Sequence, residues 1–385
     1  MPAPLTWEIF CRVIDNFGDA AVCWRLASQL AREQRARVRL WVDQLAVLHA
    51  LCPDVNVTLP RQQVSGVEVR PWASEWPPST ELNDVVVEAF GCGLPEPYVA
   101  AMLARTPPPL WITLEYLSAE AWVAKHHGLP SPHPRFPLDR YFFFPGFAAG
   151  TGGVLREGDL EARRAAFGET GRGEFWRSCG FSSPTAGSLV VSLFAYAGAP
   201  AEALLKCWED GGEQIVAAVP DGHMAGRVRE YFGASDRAAT ASLRRGRLEA
   251  RILPFVPQLR YDDLLWSCDI NFVRGEDSFV RAQWAERPFI WNVYPQEAGA
   301  HRLKLDAFLD SYAAGLELGA AAALRTLSYQ WNHMDGPPVN LADTWRVFRQ
   351  HVKALNGHAS GWAEHVARIG DMATNLAQFA RDRVK

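Results

Sequence analysis

The chain has 385 residues, a length that suits two domains of roughly 150 residues each, and its 48% hydrophobic and 21% charged residues exclude wholesale disorder. Its 39 Lys and Arg against 43 Asp and Glu leave a net charge of -4, which gives no global electrostatic reason to bind nucleic acid or an anionic membrane. No apolar run approaches the ~20 residues a membrane span needs, and Met1-Pro2-Ala3-Pro4 lacks the basic start of a signal peptide.

In chain order, W-E-I-F-C-R-V-I at residues 7–14 predicts a buried strand. It is followed by the loop D-N-F-G-D and by a helix in which Val22, Cys23, Leu26, Ala27 and Leu30 recur at helical spacing. Further strands are predicted over 38–42, 84–90, 110–114 and 140–144, separated by helical or Pro-rich stretches. Strand, helix and strand in succession make a βαβ unit and a parallel sheet with right-handed crossovers. Residues 156–167 read as a charged helix. G-E-T-G-R-G and C-G-F-S-S-P-T-A-G then read as turns, which places a domain boundary near 185. A second alternating series begins with a strand over 188–194. It continues through a helix over 204–208, strands over 214–219, 248–255 and 269–273, a helix from Ser278 and a strand over 289–293. Two amphipathic helices close the chain, one with Trp345, Phe348, Val352 and Leu355 on a face, the other with Trp362, Val366, Ile369, Met372, Leu376 and Phe379.

The expected architecture is α/β. A Rossmann-like domain spans 1–184, a second spans 185–340, and C-terminal helices over 341–385 pack back toward the first. A central cleft between the domains is then the expected ligand site. The seven cysteines are scattered, odd in number and without a C-x-x-C pair, so reduced, buried thiols in a cytoplasmic protein are expected. His126, His127 and His133 lie in a Pro/Gly loop without a second ligand group, so no metal site is read there. Most of the 15 tryptophans, among them Trp24, Trp284, Trp345 and Trp362 on helices, are expected to pack cores.

Three segments carry chemistry. In the first, Asp15-Asn16-Phe17-Gly18-Asp19, one glycine sits between two carboxylates at a strand-to-helix turn. A dinucleotide fingerprint would need G-x-G-x-x-G, and the acids would repel phosphate, so the loop suits a proton or a cation. The structural alternative makes Asp19 a helix N-cap and Asp15 a turn former. In the second, Arg274-Gly275-Glu276-Asp277-Ser278, Ser278 is the expected N-cap. Free helix amides and the Arg274 fork would bind a phosphate, leaving Glu276 and Asp277 for sugar hydroxyls or a cation. The alternative is an ordinary cap. In the third, Leu253-Pro254-Phe255-Val256-Pro257-Gln258, an aromatic and an amide suit a nucleobase, with Phe194 and Tyr196 expected at the same sheet edge. The alternative places these aromatics in the core. No D-x-D occurs anywhere in the chain, so the usual metal–diphosphate anchor is lacking. A metal-free nucleotide-sugar transferase with two Rossmann domains unites the three segments.

The run C-R-V-I-D-N-F-G-D-A-A-V-C-W-R-L-A-S-Q-L resembles the opening signature of EarP, the protein-arginine rhamnosyltransferases that modify bacterial elongation factor P. The resemblance continues in L-E-Y-L-S-A-E-A-W-V, H-G-L-P-S, S-L-F-A-Y, L-P-F-V-P-Q and R-G-E-D-S-F-V-R-A-Q-W-A, in the same order. The chain departs from the signature at Ala20-Ala21, where Ile-Gly is expected. The resemblance implies a GT-B fold, dTDP-β-L-rhamnose as donor, elongation factor P as acceptor and inversion at the anomeric carbon, and no metal cofactor is expected beside them. It also implies Asp19 as general base, with Asp15 and Glu276 as further catalytic acids. Asn16, Phe17 and Gly18 would line the donor and acceptor side. Tyr196, Phe255, Gln258, Arg274, Gly275, Asp277 and Ser278 would hold the nucleotide. Glu115 and Tyr116 of L-E-Y-L are expected to face the protein acceptor. The competing readings are another GT-B nucleotide-sugar transferase or epimerase, or a non-catalytic module that binds nucleotide sugars.

Overall fold

The structure, a computed structural model, describes residues 4–72, 81–234, 241–295, 299–334 and 340–384. The chain forms two compact units. One comprises residues 1–158 with 365–385, and the other residues 159–364.

The first unit is built on an eight-stranded sheet. Its strands are β1 (Thr6–Cys11), β2 (Arg37–Val42), β3 (Gln62–Val64), β4 (Val67–Pro71), β5 (Val85–Ala89), β6 (Leu110–Leu114), β7 (Pro130–Pro132) and β8 (Asp139–Phe143), in the order β3-β4-β2-β1-β5-β6-β8-β7. All neighbours are parallel except the β3–β4 and β7–β8 pairs at the two edges. β1 is central, with Phe10 beside Trp41 of β2 and Glu88 of β5. Its side chains alternate between two cores, as the pleat requires. Trp7, Ile9 and Cys11 join Val22, Leu26 and Leu30 of helix α1 (Gly18–Glu33) on one face, while Phe10 joins Tyr98, Met102 and Trp111 on the other. Glu8 breaks the apolar run. Burial pushes its carboxyl up, against the pull of the Arg39 guanidinium 3.1 Å away.

The second unit holds a six-stranded sheet of β9 (Leu189–Leu193), β10 (Ile215–Pro220), β11 (Ala241–Arg245), β12 (Leu248–Leu253), β13 (Ile270–Arg274) and β14 (Phe289–Asn292), ordered β11-β12-β10-β9-β13-β14. Only the β11–β12 pair is antiparallel. In each sheet the strand order reverses beside the first strand, β1 or β9. That is where open α/β folds place a ligand, beyond the carboxyl ends of the strands.

The predicted parallel strands lie within a residue or two of their expected bounds, except β1, which ends at Cys11 rather than Ile14 and so lengthens the loop before α1; β4, parallel to β2, has no predicted counterpart. Two expectations need correction. The boundary between the units falls at Gly158 and Asp159, not near 185. The stretch expected to turn at G-E-T-G-R-G is instead a helix, Leu160–Ser178, interrupted only at Gly168, whose φ of 42° breaks helical geometry. This helix belongs to the second unit: Phe167 meets Trp266 edge-on at 5.3 Å and Arg163 reaches Asp262. The C-terminal helices also divide. Leu341–Gln350 stays with the second unit, Trp345 meeting Trp208 at 5.4 Å, whereas Met372–Arg381 packs Met372, Leu376 and Ala380 into the α1 core of the first. Trp24, Trp284, Trp345 and Trp362 are all buried, as expected of core packing.

Candidate active site

In the first unit, the site is the loop between β1 and α1. Val13 N–H bonds the Asp43 carboxylate at 2.9 Å, which ties this loop to the one after β2. Asn16 takes a left-handed φ of 42°, and Gly18 N–H closes a turn onto the Asp15 carbonyl at 2.7 Å. A Cβ on Gly18 would stand 3.1 Å from Asp15 Oδ2, so the glycine lets that carboxylate fold over the start of the helix.

Asp19 is 2% exposed and is not the N-cap of α1; that position is Phe17, whose side chain makes no cap bond. Asp19 Oδ2 instead accepts from Ile14 N–H at 2.7 Å and Asp15 N–H at 2.9 Å. The carboxylate therefore caps the loop behind it, leaving the α1 amides to other partners. Its charge also lies at the positive end of the α1 dipole. Burial pushes the nearby Cys23 thiol well up, so it stays neutral below the acid pair.

The carboxyl ends of β5 and β6 reach the same sheet edge as β1. There Phe90 N–H bonds the Leu114 carbonyl at 2.7 Å, and Phe90 stacks on Tyr116 with ring centroids 4.4 Å apart. The Tyr116 hydroxyl reaches Asp19 Oδ1 at 3.3 Å. Sequence reasoning sent Tyr116 toward the acceptor protein without linking it to Asp19. The link depends on β6 lying beside β5, a pairing invisible in the sequence.

In the second unit, the carboxyl ends of β9, β13 and β14 converge. The Arg274 guanidinium lies over the Phe194 ring at 4.4 Å and the Tyr196 ring at 4.8 Å, a cation–π arrangement that stations its charge beside two aromatic faces. Tyr196 N–H donates to Asn292 Oδ1 at 2.8 Å, fixing the end of β9 to β14. Gly275 has φ 64°, which a Cβ would strain, and its carbonyl accepts from Trp291 Nε1 at 2.7 Å.

The helix beyond this turn, Asp277–Trp284, is capped by Glu276, with no side-chain cap bond. The expectation that Ser278 is the N-cap is therefore wrong by two positions. Ser278 lies inside the first turn and bonds back to the Arg274 backbone, accepting from its N–H at 3.2 Å and donating to its carbonyl. This closes the turn at the start of the helix.

Gln258 opens the helix Gln258–Trp266 and donates to Asp277 Oδ2 at 3.1 Å, joining the second and third sequence segments. Beneath that link, Arg281 grips Asp262 through two hydrogen bonds, a buried pair that sequence reasoning missed because neither residue belongs to a recognisable motif. Phe255, 36% exposed, stands outside the core, while Tyr196 and Gln258 are buried. No group of three or more His, Cys, Asp or Glu residues able to hold a metal ion occurs among the described residues, and no described helix is long and apolar enough to cross a membrane.

Each unit thus gathers its predicted residues at one sheet edge: Asp15, Asn16, Phe17, Gly18 and Asp19 in the first, and Tyr196, Phe255, Gln258, Arg274, Gly275, Glu276, Asp277 and Ser278 in the second.

Residues 7–381 match the family described as elongation factor P (EF-P) rhamnosyltransferase EarP. The chain is 45% identical over 379 residues to the protein-arginine rhamnosyltransferase of Pseudomonas putida, covering 98% of this chain and 99% of that one. It is 36% identical to the protein of the same name from Shewanella oneidensis, with 97% of each chain covered. A structure solved to describe EarP-mediated arginine glycosylation of translation elongation factor EF-P matches with a TM-score of 0.70 at 34% identity, over 98% of this chain and 99% of that one. The spinosyn rhamnosyltransferase SpnG shares the fold at a TM-score of 0.51 and 13% identity, over 98% of this chain and 100% of that one. The architecture is that of GT-B glycosyltransferases, and the chain belongs to the elongation factor P rhamnosyltransferase family EarP, a family of glycosyltransferase enzymes.

Proposed function

We propose that this chain transfers L-rhamnose from dTDP-β-L-rhamnose to an arginine side chain of elongation factor P, by a single displacement that inverts the anomeric carbon. Family membership supports the reaction class. The observation that carries the mechanism is the Asp19 carboxylate, buried at a sheet edge and held by two backbone amides.

A guanidinium is protonated at neutral pH and is a poor nucleophile until a base draws on it. Asp19 takes the proton as the arginine nitrogen bonds the anomeric carbon and the carbon–oxygen bond to the diphosphate breaks. Asp15, in the same loop, orients the guanidinium and stabilises its charge, with Asn16, Phe17 and Gly18 shaping the approach.

In the second unit, Phe255 stacks the nucleobase and Tyr196 and Gln258 line the nucleotide. Arg274 and the amides opening the helix Asp277–Trp284 take up the charge that grows on the departing diphosphate. Gly275 permits the close backbone approach, Ser278 holds the turn, Asp277 fixes Gln258, and Glu276 meets a sugar hydroxyl or the incoming cation. On this reading the diphosphate is neutralised by protein groups without a metal cofactor.

Intact-mass spectrometry of elongation factor P, incubated with the protein and dTDP-β-L-rhamnose, tests this directly. One deoxyhexose added at a single arginine is expected. Unmodified factor with donor bound in calorimetry would favour a binding module. Donor consumed without modification of the factor would favour an epimerase or a different acceptor.

A further inference from the structure

Asp19 offers about four acceptor positions as a carboxylate. The amides of Ile14 and Asp15 occupy two on Oδ2, so that oxygen is committed to holding the loop. Oδ1 is the edge left for chemistry, and the Tyr116 hydroxyl lies against it at 3.3 Å. The torsion that turns a carboxylate about its own axis is broad and soft, so two bonds to one oxygen anchor the group without fully setting the direction of the other. Tyr116 supplies the missing constraint. It cannot swing freely itself, because its ring stacks on Phe90 with only 14° between the planes and Phe90 is fixed by its bond to the Leu114 carbonyl.

We propose that Tyr116 is a positioning residue, holding Oδ1 of Asp19 in the direction from which it takes the acceptor's proton. The contact fills one acceptor position of Oδ1 and leaves the other open to an arginine nitrogen. At 3.3 Å it is long for a bond between two oxygens, so it can yield or tighten as the acceptor arrives without a large cost. Titratable groups near this carboxylate include Tyr116 itself, Asp15 in the same loop and Cys23 on α1. The thiol stays neutral, which leaves Tyr116 as the neutral donor that stabilises the charged carboxylate.

This inference rests on Asp19 being the base, and the experiment separates the two. Tyr116→Phe removes one oxygen and keeps the ring on Phe90. Steady-state kinetics with elongation factor P should show kcat lowered about three- to tenfold, the range of one net hydrogen bond, with KM for both substrates unchanged. The acid limb of the kcat/KM profile should move to higher pH, because a carboxylate that loses a donor binds its proton more tightly. Donor affinity by calorimetry and the melting temperature report folding. Unchanged kcat and an unmoved acid limb would overturn the inference, and so would a kcat loss that follows a lowered melting temperature with the limb in place. Full turnover in Asp19→Asn would remove the base itself, whatever Tyr116→Phe shows.

Discussion

Arg281 holds both oxygens of Asp262, Nε to Oδ1 at 2.7 Å and a terminal nitrogen to Oδ2 at 2.5 Å, with the two side chains 0% and 4% exposed. The pair bolts the helix that begins at Gln258 to the helix that begins at Asp277, so the two starts that would cradle a nucleotide share one buried fastening. Arg281→Met strands a buried carboxylate and should cost about 3 kcal/mol, the lower end of the range for a broken buried pair, since Arg163 still touches Asp262 at 3.3 Å. Urea unfolding measures it. Replacing both partners, Arg281→Met with Asp262→Leu, should recover most of the loss; equal instability in the double variant would show that packing around Arg281 matters more than its charge.

Asp19→Asn keeps the size of the side chain and removes its basicity. Transfer to elongation factor P should fall at least ~100-fold, the lower end of general-base effects, while nucleotide affinity, which the proposed function assigns to the second unit, stays within twofold. The amide can also present nitrogen toward the Ile14 and Asp15 amides, so a modest drop in melting temperature is expected too.

Phe255→Ala tests the nucleobase platform. Because the ring already stands at the surface, stability should change little. Affinity for dTDP should fall about tenfold, from ~1–3 kcal/mol of stacking. Titration calorimetry that finds equal affinity would take the base elsewhere.

Asp84 lends the first unit a dependence on acid. Burial alone would raise its carboxyl, but bonds from Arg105 at 2.7 Å and from the Thr6 amide and hydroxyl at 3.0 and 2.8 Å outweigh burial and hold it below the usual value of 3.8. The folded state therefore binds this proton less readily than the unfolded chain. Its stabilisation is complete above 3.8 and is lost as pH falls through the lower folded value. Asp84→Asn should lower stability at neutral pH and flatten the stability curve below pH 3.8. Parallel curves for the two proteins across that window would assign the acid sensitivity to other carboxylates.

The central strands were legible because a parallel strand covered on both faces is a near-continuous apolar run, as in I-V-A-A-V of β10 and L-V-V-S-L of β9. β4 and the edge strands β3, β7 and β11 escaped notice: V-E-V-R-P of β4 interleaves charged residues with apolar ones, and each edge strand is short or polar and is specified by its hairpin partner. Glycines misled at residues 168–173, where three of them read as turns yet sit in a helix kinked at the first. At the site, the loops following strands could be located from the sequence, since alternation alone puts them at one sheet edge. What each side chain does there could not. Ser278 and Asp19 both have residue types that cap helices, and both bond backwards to the preceding chain instead. Tyr116 and the Arg281–Asp262 pair depend on neighbours brought together only by strand order and helix packing.

The helix that carries Asp19 completes its core with Met372, Leu376 and Ala380, residues that come after the entire second unit in the chain. As the protein is synthesised, the second unit has all of its residues before the first is complete, while the loop that carries Asp19 waits with an apolar flank uncovered until the helix Met372–Arg381 leaves the ribosome. On the function proposed above, a nick or frameshift within Met372–Arg381 would leave a protein that still captures its donor but lacks a settled place for the base.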